Sequence, residues 1–430
     1  MRAASAWRDV TPDRPIYLAG QMHARLGEYA RDPLTVNAAV FEDGQEKVAI
    51  VSADVCIIPD QIADELRRSI AQAVGIQEHN ILLSATHTHV APFLEDLGLD
   101  GAPIDEQWVS FFKQSIIDAV SEANANLIEV KLWSGNGYIE QMGWNRRGLH
   151  RDGFCEMYLG SWRPGFKGIE GPRDGHVGVI WATDESHNVT LVVSSFSTHP
   201  NCLEQGKFYS ADIPGEVRKV IRGGLGQQVG VIYLTGAAGD TAPSIMVDNE
   251  KNVQPWRGEE GVKRSGRYLG GEILKTIAST TTPMESPVIR SAHRPLMLQM
   301  RPWDKNFNPD LLPEGGMKQF CVRSREMWDT LMREKNPFPS PVHVIRLGDA
   351  VLCSNSAELF CEFGLAIKKH SPAKTTLIAQ LTNGWCGYIP TPHAIGHGGY
   401  SARSSSHTRA VPDAGWQIVD DTVEMLKEVF

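Results

Sequence analysis

The chain has 430 residues, 42% apolar and 22% charged, with a formal net charge of −9. This composition is ordinary for a globular protein and excludes wholesale disorder. The acidic balance argues against a nucleic-acid partner, whose phosphates demand a basic footprint. No run of about 18 apolar residues is present, so no stable membrane insertion is expected. Met1 to Pro15 lacks an apolar signal core, and the seven cysteines include no C-x-x-C pair. Neither a disulfide framework nor a thiolate zinc site is therefore expected, and the pattern suits a cytoplasmic protein acting on a small molecule. The oligomeric state stays open.

Ala38 to Phe41 predicts a short strand, Asp43-Gly44 a turn, and Lys47 to Val55 a mostly apolar strand, together a hairpin. Pro59 opens a helix to about Ala73, with Ile62, Leu66 and Ile70 on one stripe. Asn80 to Ser84 is the next strand, which completes a right-handed βαβ unit. A helix follows over about Glu106 to Ala123. Val177 to Ala182 and Thr190 to Phe196 form a second hairpin, and Val229 to Leu234 reads as a strand. Glu259 to Ile277 reads as a helix. Met300 to Pro341, with Pro and Trp interspersed, reads as a lid, an insertion, or a long loop with a helix near Glu326 to Lys335. Val342 to Arg346 and Val351 to Ser354 form a third hairpin, followed by helices from about Glu358 to Lys369 and Trp416 to Val429. No internal repeat is visible. The alternation predicts one large α/β catalytic unit over residues 1–430, a mixed sheet covered by helices. Ligands in such sheets collect beyond the carboxyl ends of strands.

Five segments in such positions can carry chemistry. In Ser84-Ala85-Thr86-His87-Thr88-His89, an extended backbone turns alternate residues to one face, so His87 and His89 can converge as half of a zinc site. The alternative is a hydrogen-bonded surface pair. His199, in Ser197-Thr198-His199-Pro200, ends another strand. Gly236 to Pro243 (GAAGDTAP) offers small residues whose N–H groups can stabilise an oxyanion, or simply a tight turn. Glu358 can be a ligand, a general base or a helix-start charge. Tyr388, between Gly387 and Ile389-Pro390, is rigidly held, for packing or to meet a metal. Asp54 and Asp212 are candidate carboxylates behind the histidines, or caps. The loop with His393, His397 and Tyr400 can line a polar pocket.

Taken in order, these segments resemble the N-terminal catalytic domain of the neutral/alkaline (non-lysosomal) ceramidase family. The likeness runs from Arg8-Asp9-Val10-Thr11-Pro12 through Ser84 to Pro92 (SATHTHVAP), Asn145-Arg146-Arg147, Thr198-His199-Pro200, Ser210 to Gly215 and Gly239-Asp240 to Gly387 to Thr391. It implies that fold and one zinc ion on His87, His199, Glu358 and Tyr388, though manganese, iron or nickel would also suit those donors. It places His89 beside the metal to assist catalysis and Arg146 near the substrate. Asn145, Gly236 and His393 are then candidate substrate contacts, and Asp240 joins Asp54 and Asp212 behind the ligands.

The chain also departs from the family pattern. GDTAPS puts Ala242 where the family carries a serine once proposed as nucleophile, unless Thr241 or Ser244 replaces it. The NSAEL around Glu358 differs from the family's P-G-E. The chain ends at Phe430 without the family's C-terminal immunoglobulin-like domain, like a short bacterial branch, so a substrate other than membrane ceramide is expected. The implied activity is hydrolysis of an amide or ester by a metal-activated water. The alternatives are the same site acting on a sugar or lactone bond, or an inactive ligand-binding relative. An amidohydrolase barrel is disfavoured because hairpins interrupt any run of βα repeats.

Overall fold

A computed structural model describes residues 1–96, 101–244 and 256–430. Three mixed sheets carry the fold, and the same strand order recurs in each. In the first, Arg2–Asp9, Thr35–Glu42 and Lys47–Ala53 are antiparallel neighbours; helix Asp60–Val74 then leads to Ile81–Ala85, which pairs with Lys47–Ala53 in parallel. In the second, Lys131–Tyr138, His176–Thr183 and Val189–Phe196 are antiparallel, and helix Asp212–Leu225 leads to the parallel strand Gly230–Thr235. In the third, Ile289–Arg294, Val342–Leu347 and Ala350–Asn355 are antiparallel, and helix Cys361–His370 leads to the parallel strand Thr375–Ala379.

The inner faces of the three sheets meet in one apolar cluster. Phe41, Ile50 and Leu82 come from the first sheet, Ile180, Val193 and Ile232 from the second, and Ile345, Leu352 and Leu377 from the third. Helices cover the outer faces, Asp60–Val74 and Glu106–Ala125 burying Leu66, Ile70, Phe112 and Ile116 on the first. Strands covered on both sides read as continuous apolar runs, which is why Lys47–Ala53 and Val189–Phe196 are legible in the sequence. Each fully buried Leu, Ile or Phe contributes about 1.5–3 kcal/mol, so the shared cluster locks the sheets together. Among the described residues no helix is long and apolar enough to cross a membrane.

This topology gathers six loops. Each parallel pair ends in register, Ala53 beside Ala85, Phe196 beside Thr235, and Ser354 beside Ala379. The segments beyond those ends carry Asp54, Thr86–His89, His199, Gly236–Asp240, Glu358 and Tyr388.

Several expectations are corrected. The mixed sheet is three sheets, and a threefold structural repeat exists without a sequence repeat. The strand that opens each sheet (RAASAWRD, KLWSGNGY, IRSAHR) is partly exposed and too polar to signal itself. Glu358 does not start a helix: it lies in strand Ala357–Leu359, which pairs in parallel with Gly387–Ile389, and the helix begins at Cys361. The helix in the irregular segment is Gly316–Glu334, longer and earlier than expected. Helix Asp212–Leu225 was hidden by Pro214, Gly223 and Gly224.

Candidate functional site

Residues 86–89 leave strand Ile81–Ala85 without continuing it. Thr86 N–H donates to Ala53 O (2.9 Å) and His87 N–H to Val55 O (2.9 Å), and His87 adopts φ 70°. A left-handed non-glycine residue costs on the order of 1–3 kcal/mol and persists only where its surroundings enforce it. The extended-strand argument for His87 and His89 is therefore replaced by a kink, which still brings His87 Nε2 and His89 Nε2 to 3.5 Å. Thr86 Oγ1 anchors to Asp54 Oδ1 (3.2 Å) and Thr88 Oγ1 to Ser210 O (2.7 Å), so the hydroxyls point away from the imidazoles.

The second sheet delivers His199, whose Nε2 lies 3.2 Å from His87 Nε2. In both rings Nδ1 is committed to a backbone carbonyl, His87 to Cys56 O (2.7 Å) and His199 to Ala238 O (2.6 Å). A carbonyl can only accept, so Nδ1 carries a proton in both rings and Nε2 is the nitrogen turned to the cluster. The third sheet delivers Glu358, whose Oε2 stands 3.4 Å from each of these Nε2 atoms. That oxygen is buried and accepts no hydrogen bond, while Oε1 accepts from Trp385 Nε1 (3.2 Å). Tyr388 is Glu358's register partner, and its hydroxyl accepts from Arg146 Nη2 (3.3 Å). Arg146 Nη2 also donates to Gly239 O (2.9 Å) and stands 3.2 Å from His199 Nε2.

Burial opposes charge on all of these groups. It is outweighed at Glu358, where His87 and His199 hold the carboxyl well below its usual range, and at His87, where Cys56 and Glu358 raise the imidazole. At His199 burial, with Arg146 beside it, pushes the imidazole well below its usual value. Burial lowers His89 to about 4, and burial with Glu358 raises the Tyr388 phenol. A carboxylate and a neutral His199 are forms that bind cations, and a cation at His87 would take the place of the proton that Cys56 and Glu358 favour there. His87, His199 and Glu358 thus form a group that can hold a metal ion. Their fit is good: zinc bonds of ~2.0–2.1 Å in a tetrahedron put donors roughly 3.4 Å apart, and the spacings here are 3.2, 3.4 and 3.4 Å.

The other sequence candidates take different positions. Asp54 accepts from Thr35 N–H, Thr35 Oγ1, Thr86 Oγ1 and Arg218, so it acts through Thr86 and not on a ring. Asp212 (φ 52°) accepts the N–H groups of Cys202 and Leu203 and shapes the turn after His199. Asp240 accepts from Asn145 Nδ2 (2.6 Å) and Cys361 N–H (2.7 Å), tying the Arg146 segment to the third sheet; Asn145 is thus a scaffold residue. In Gly236 to Pro243 the tight-turn alternative describes four of the N–H groups. The N–H groups of Gly236, Ala238, Gly239 and Thr241 bond to Phe196 O, Gln380 Oε1, Leu359 O and Ala238 O. Gly236 serves close packing, since a Cβ there would lie 2.5 Å from Ser197 Oγ. His393 stands beside Thr391 Oγ1 (3.3 Å), outside the cavity wall.

A cavity of about 80 Å³ lies over the cluster. His87, His89, Glu358 and Tyr388 line it, and Met22, Ile57, Phe320, Trp385, Tyr400 and His407 make much of its wall. No serine or threonine occurs among the described lining residues; Thr241, Ala242 and Ser244 lie elsewhere. Sequence reasoning missed Glu204, whose Oε2 stands 3.6 Å from His89 Nδ1 and whose Oε1 accepts from Arg257 (2.6 Å). It also did not name Phe320, Trp385 or His407 as site residues, although Phe320 lies in the 300–341 segment read as a possible lid and Trp385 in the turn-rich, aromatic stretch around Tyr388.

These features define a class, a three-sheet α/β protein with a buried His–His–Glu cluster beyond its parallel strand pairs. No family model and no curated protein sequence matches the chain. Its fold does match solved structures. The crystal structure of neutral ceramidase from Pseudomonas aeruginosa superposes with a TM-score of 0.76 at 16% identity, covering 99% of this chain and 74% of that one. A ceramidase complexed with C2 gives 0.76 at 14% identity, with the same coverage. The fold is neutral-ceramidase-like.

Proposed function

We propose that the chain is a metal-dependent hydrolase that cleaves an amide or ester bond, with zinc held by His87, His199, Glu358 and Tyr388. The observation that carries this reading is Glu358 Oε2, a buried carboxylate oxygen without a hydrogen bond, 3.4 Å from the Nε2 atoms of both His87 and His199, which are themselves 3.2 Å apart. A zinc ion held there supplies Lewis acidity and an acidified water. The likeness of fold to neutral ceramidases supports the reaction class.

The surrounding residues account for the remaining steps. Arg146 and the Tyr388 hydroxyl, 3.3 Å apart, are preorganised donors for the charge that develops on a carbonyl oxygen. His89, lowered to about 4 by burial, is neutral at pH 7 and can take a proton at Nε2, the atom facing the cluster. Glu204, across the ring, steadies the imidazolium as it forms. With Ala242 outside the cavity, water and not a serine is the nucleophile. The aromatic and aliphatic wall favours an apolar acyl or aryl group over a sugar, which needs polar partners. Residues 1–430 act as one catalytic unit, and the 300–341 segment contributes part of the wall through Phe320.

The test is hydrolysis of a panel of short N-acyl amides and esters before and after chelation, with zinc added back. The expected result is loss on chelation and recovery with zinc. Hydrolysis that chelation leaves untouched would exclude a metal mechanism.

A further inference from the structure

A second cluster lies outside the cavity. Strands Arg147–His150, Cys155–Met157 and Phe166–Ile169 form a small sheet, with Glu170 just beyond its last strand. Helix Pro392–His397 ends against it. Cys155 Sγ–H and His397 Nδ1 both bond to Glu170 Oε1 at 2.9 Å, and Arg147 Nη2 reaches the same oxygen at 3.1 Å. Arg147 Nε holds the other oxygen, Oε2. A carboxylate oxygen has two lone pairs, so Oε1 with three donors is oversubscribed. The sulfur, imidazole and carboxylate donors lie within 4.8 Å of one another.

We propose that Cys155, Glu170 and His397 form a second site, for a soft divalent cation of the zinc class. Thiolate with imidazole selects such ions over magnesium or calcium. On binding, the Cys155 thiol releases its proton to solvent and its sulfur bonds the metal. His397 moves its proton from Nδ1 to Nε2 on a ring that is one-third exposed, and binds through Nδ1. Glu170 binds through Oε1, and no electron changes hands. Arg147 stays on Oε2 and offsets one of the two negative charges. No thiolate site was expected from the sequence because no C-x-x-C occurs; here Cys155 and Glu170 flank one small sheet and His397 comes from far along the chain, which local spacing cannot reveal.

The site has a consequence for the cavity. Gly398 O accepts from Arg147 Nη2 (2.7 Å), and Gly399 (φ 83°) packs so closely that a Cβ would lie 2.6 Å from Cys155 O. The next residue, Tyr400, lines the cavity with its ring 5.6 Å from that of Tyr388. A cation on Cys155 and His397 fastens the loop that carries Tyr400.

The test loads the full chain with Co²⁺ alone and reads stoichiometry and absorption. Two equivalents and a near-ultraviolet thiolate-to-cobalt band are expected. Cys155→Ser should remove the band and one equivalent, and His397→Ala should remove that equivalent also. Cys56→Ser should keep the band, although Cys56 Sγ lies 3.6 Å from His87 Nδ1. Circular dichroism checks that each variant is folded. Absence of the band in the wild type, its survival in Cys155→Ser, or its loss in Cys56→Ser would overturn the proposal. His87→Ala separates it from the first site: the band should persist there whether or not the hydrolase reading holds.

Discussion

At the cavity, His87, His89 and His199 meet edge to face, with ring centroids 4.7, 4.9 and 5.8 Å apart. Against the third sheet, His79, His293 and His343 lie nearly parallel, with centroids 4.6 and 6.1 Å apart. His343 is as buried as His87, and its Nδ1, like that of His89, lacks a hydrogen bond. What differs is direction and charge. Imidazole lone pairs lie in the ring plane, so crossed rings can aim them at one point and stacked rings cannot. Glu358 stands between the crossed rings, whereas burial and then Arg67, His293 and His79 all oppose a charge on His343. Burial of an imidazole therefore does not make a candidate metal site; convergence on a carboxylate does.

The largest effect expected from breaking this contrast is at the carboxylate. Glu358→Gln should cut hydrolysis by roughly 10²–10³-fold, the scale of losing one preorganised charge-stabilising group, with metal occupancy falling in parallel. Tyr388→Phe should lower kcat by about 10–100-fold with little change in KM, if the hydroxyl acts on the developing charge. Steady-state kinetics on one substrate decides, and a rise in KM alone would move Tyr388 to binding. The stacked group predicts a pH effect on stability and none on metal. Burial first, then Arg67, holds His343 at about 3, so the folded state keeps it neutral while the unfolded chain protonates it below about 6.5. Its contribution is complete above pH 6.5 and is lost as pH falls toward 3, by about 1.4 kcal/mol per pH unit at most. Denaturant midpoints across that window should fall less steeply in His343→Leu, and an unchanged slope would remove the stack from the account. The smallest effect is expected at the wall: Phe320→Ala should raise KM a few-fold for an apolar acyl substrate and leave kcat nearly unchanged.

Much of the candidate site was legible because strand ends have a chemical signature. Apolar runs such as Ile81–Ala85 and Val189–Phe196 announce themselves, and the polar residues that follow them, His87 and His199, stand out against the run. The parallel pairing of Lys47–Ala53 with Ile81–Ala85 was also legible, from the helix between them. The threefold recurrence of the sheet was not, because backbone pairing repeats without requiring any residue to recur. Glu358 was identifiable as a residue but misplaced as structure, since a three-residue strand has no period to read. Glu204, Trp385 and His407 reach the site through turns and loops where only tertiary contact gives them meaning. Of the two readings open for the aspartates, the cap-and-turn one describes their bonds: Asp54 and Asp212 bond to hydroxyl, guanidinium and backbone N–H groups.

The most direct measurement is metal content by elemental analysis in the wild type, His87→Ala, His199→Ala and His343→Leu, each purified with zinc and dialysed, with Cys155→Ser as the background so that the cavity alone is counted. The account predicts one zinc retained in the background and in His343→Leu, and occupancy reduced at least tenfold in both cavity variants. Full retention in His87→Ala and His199→Ala would show that these two imidazoles do not share a cation.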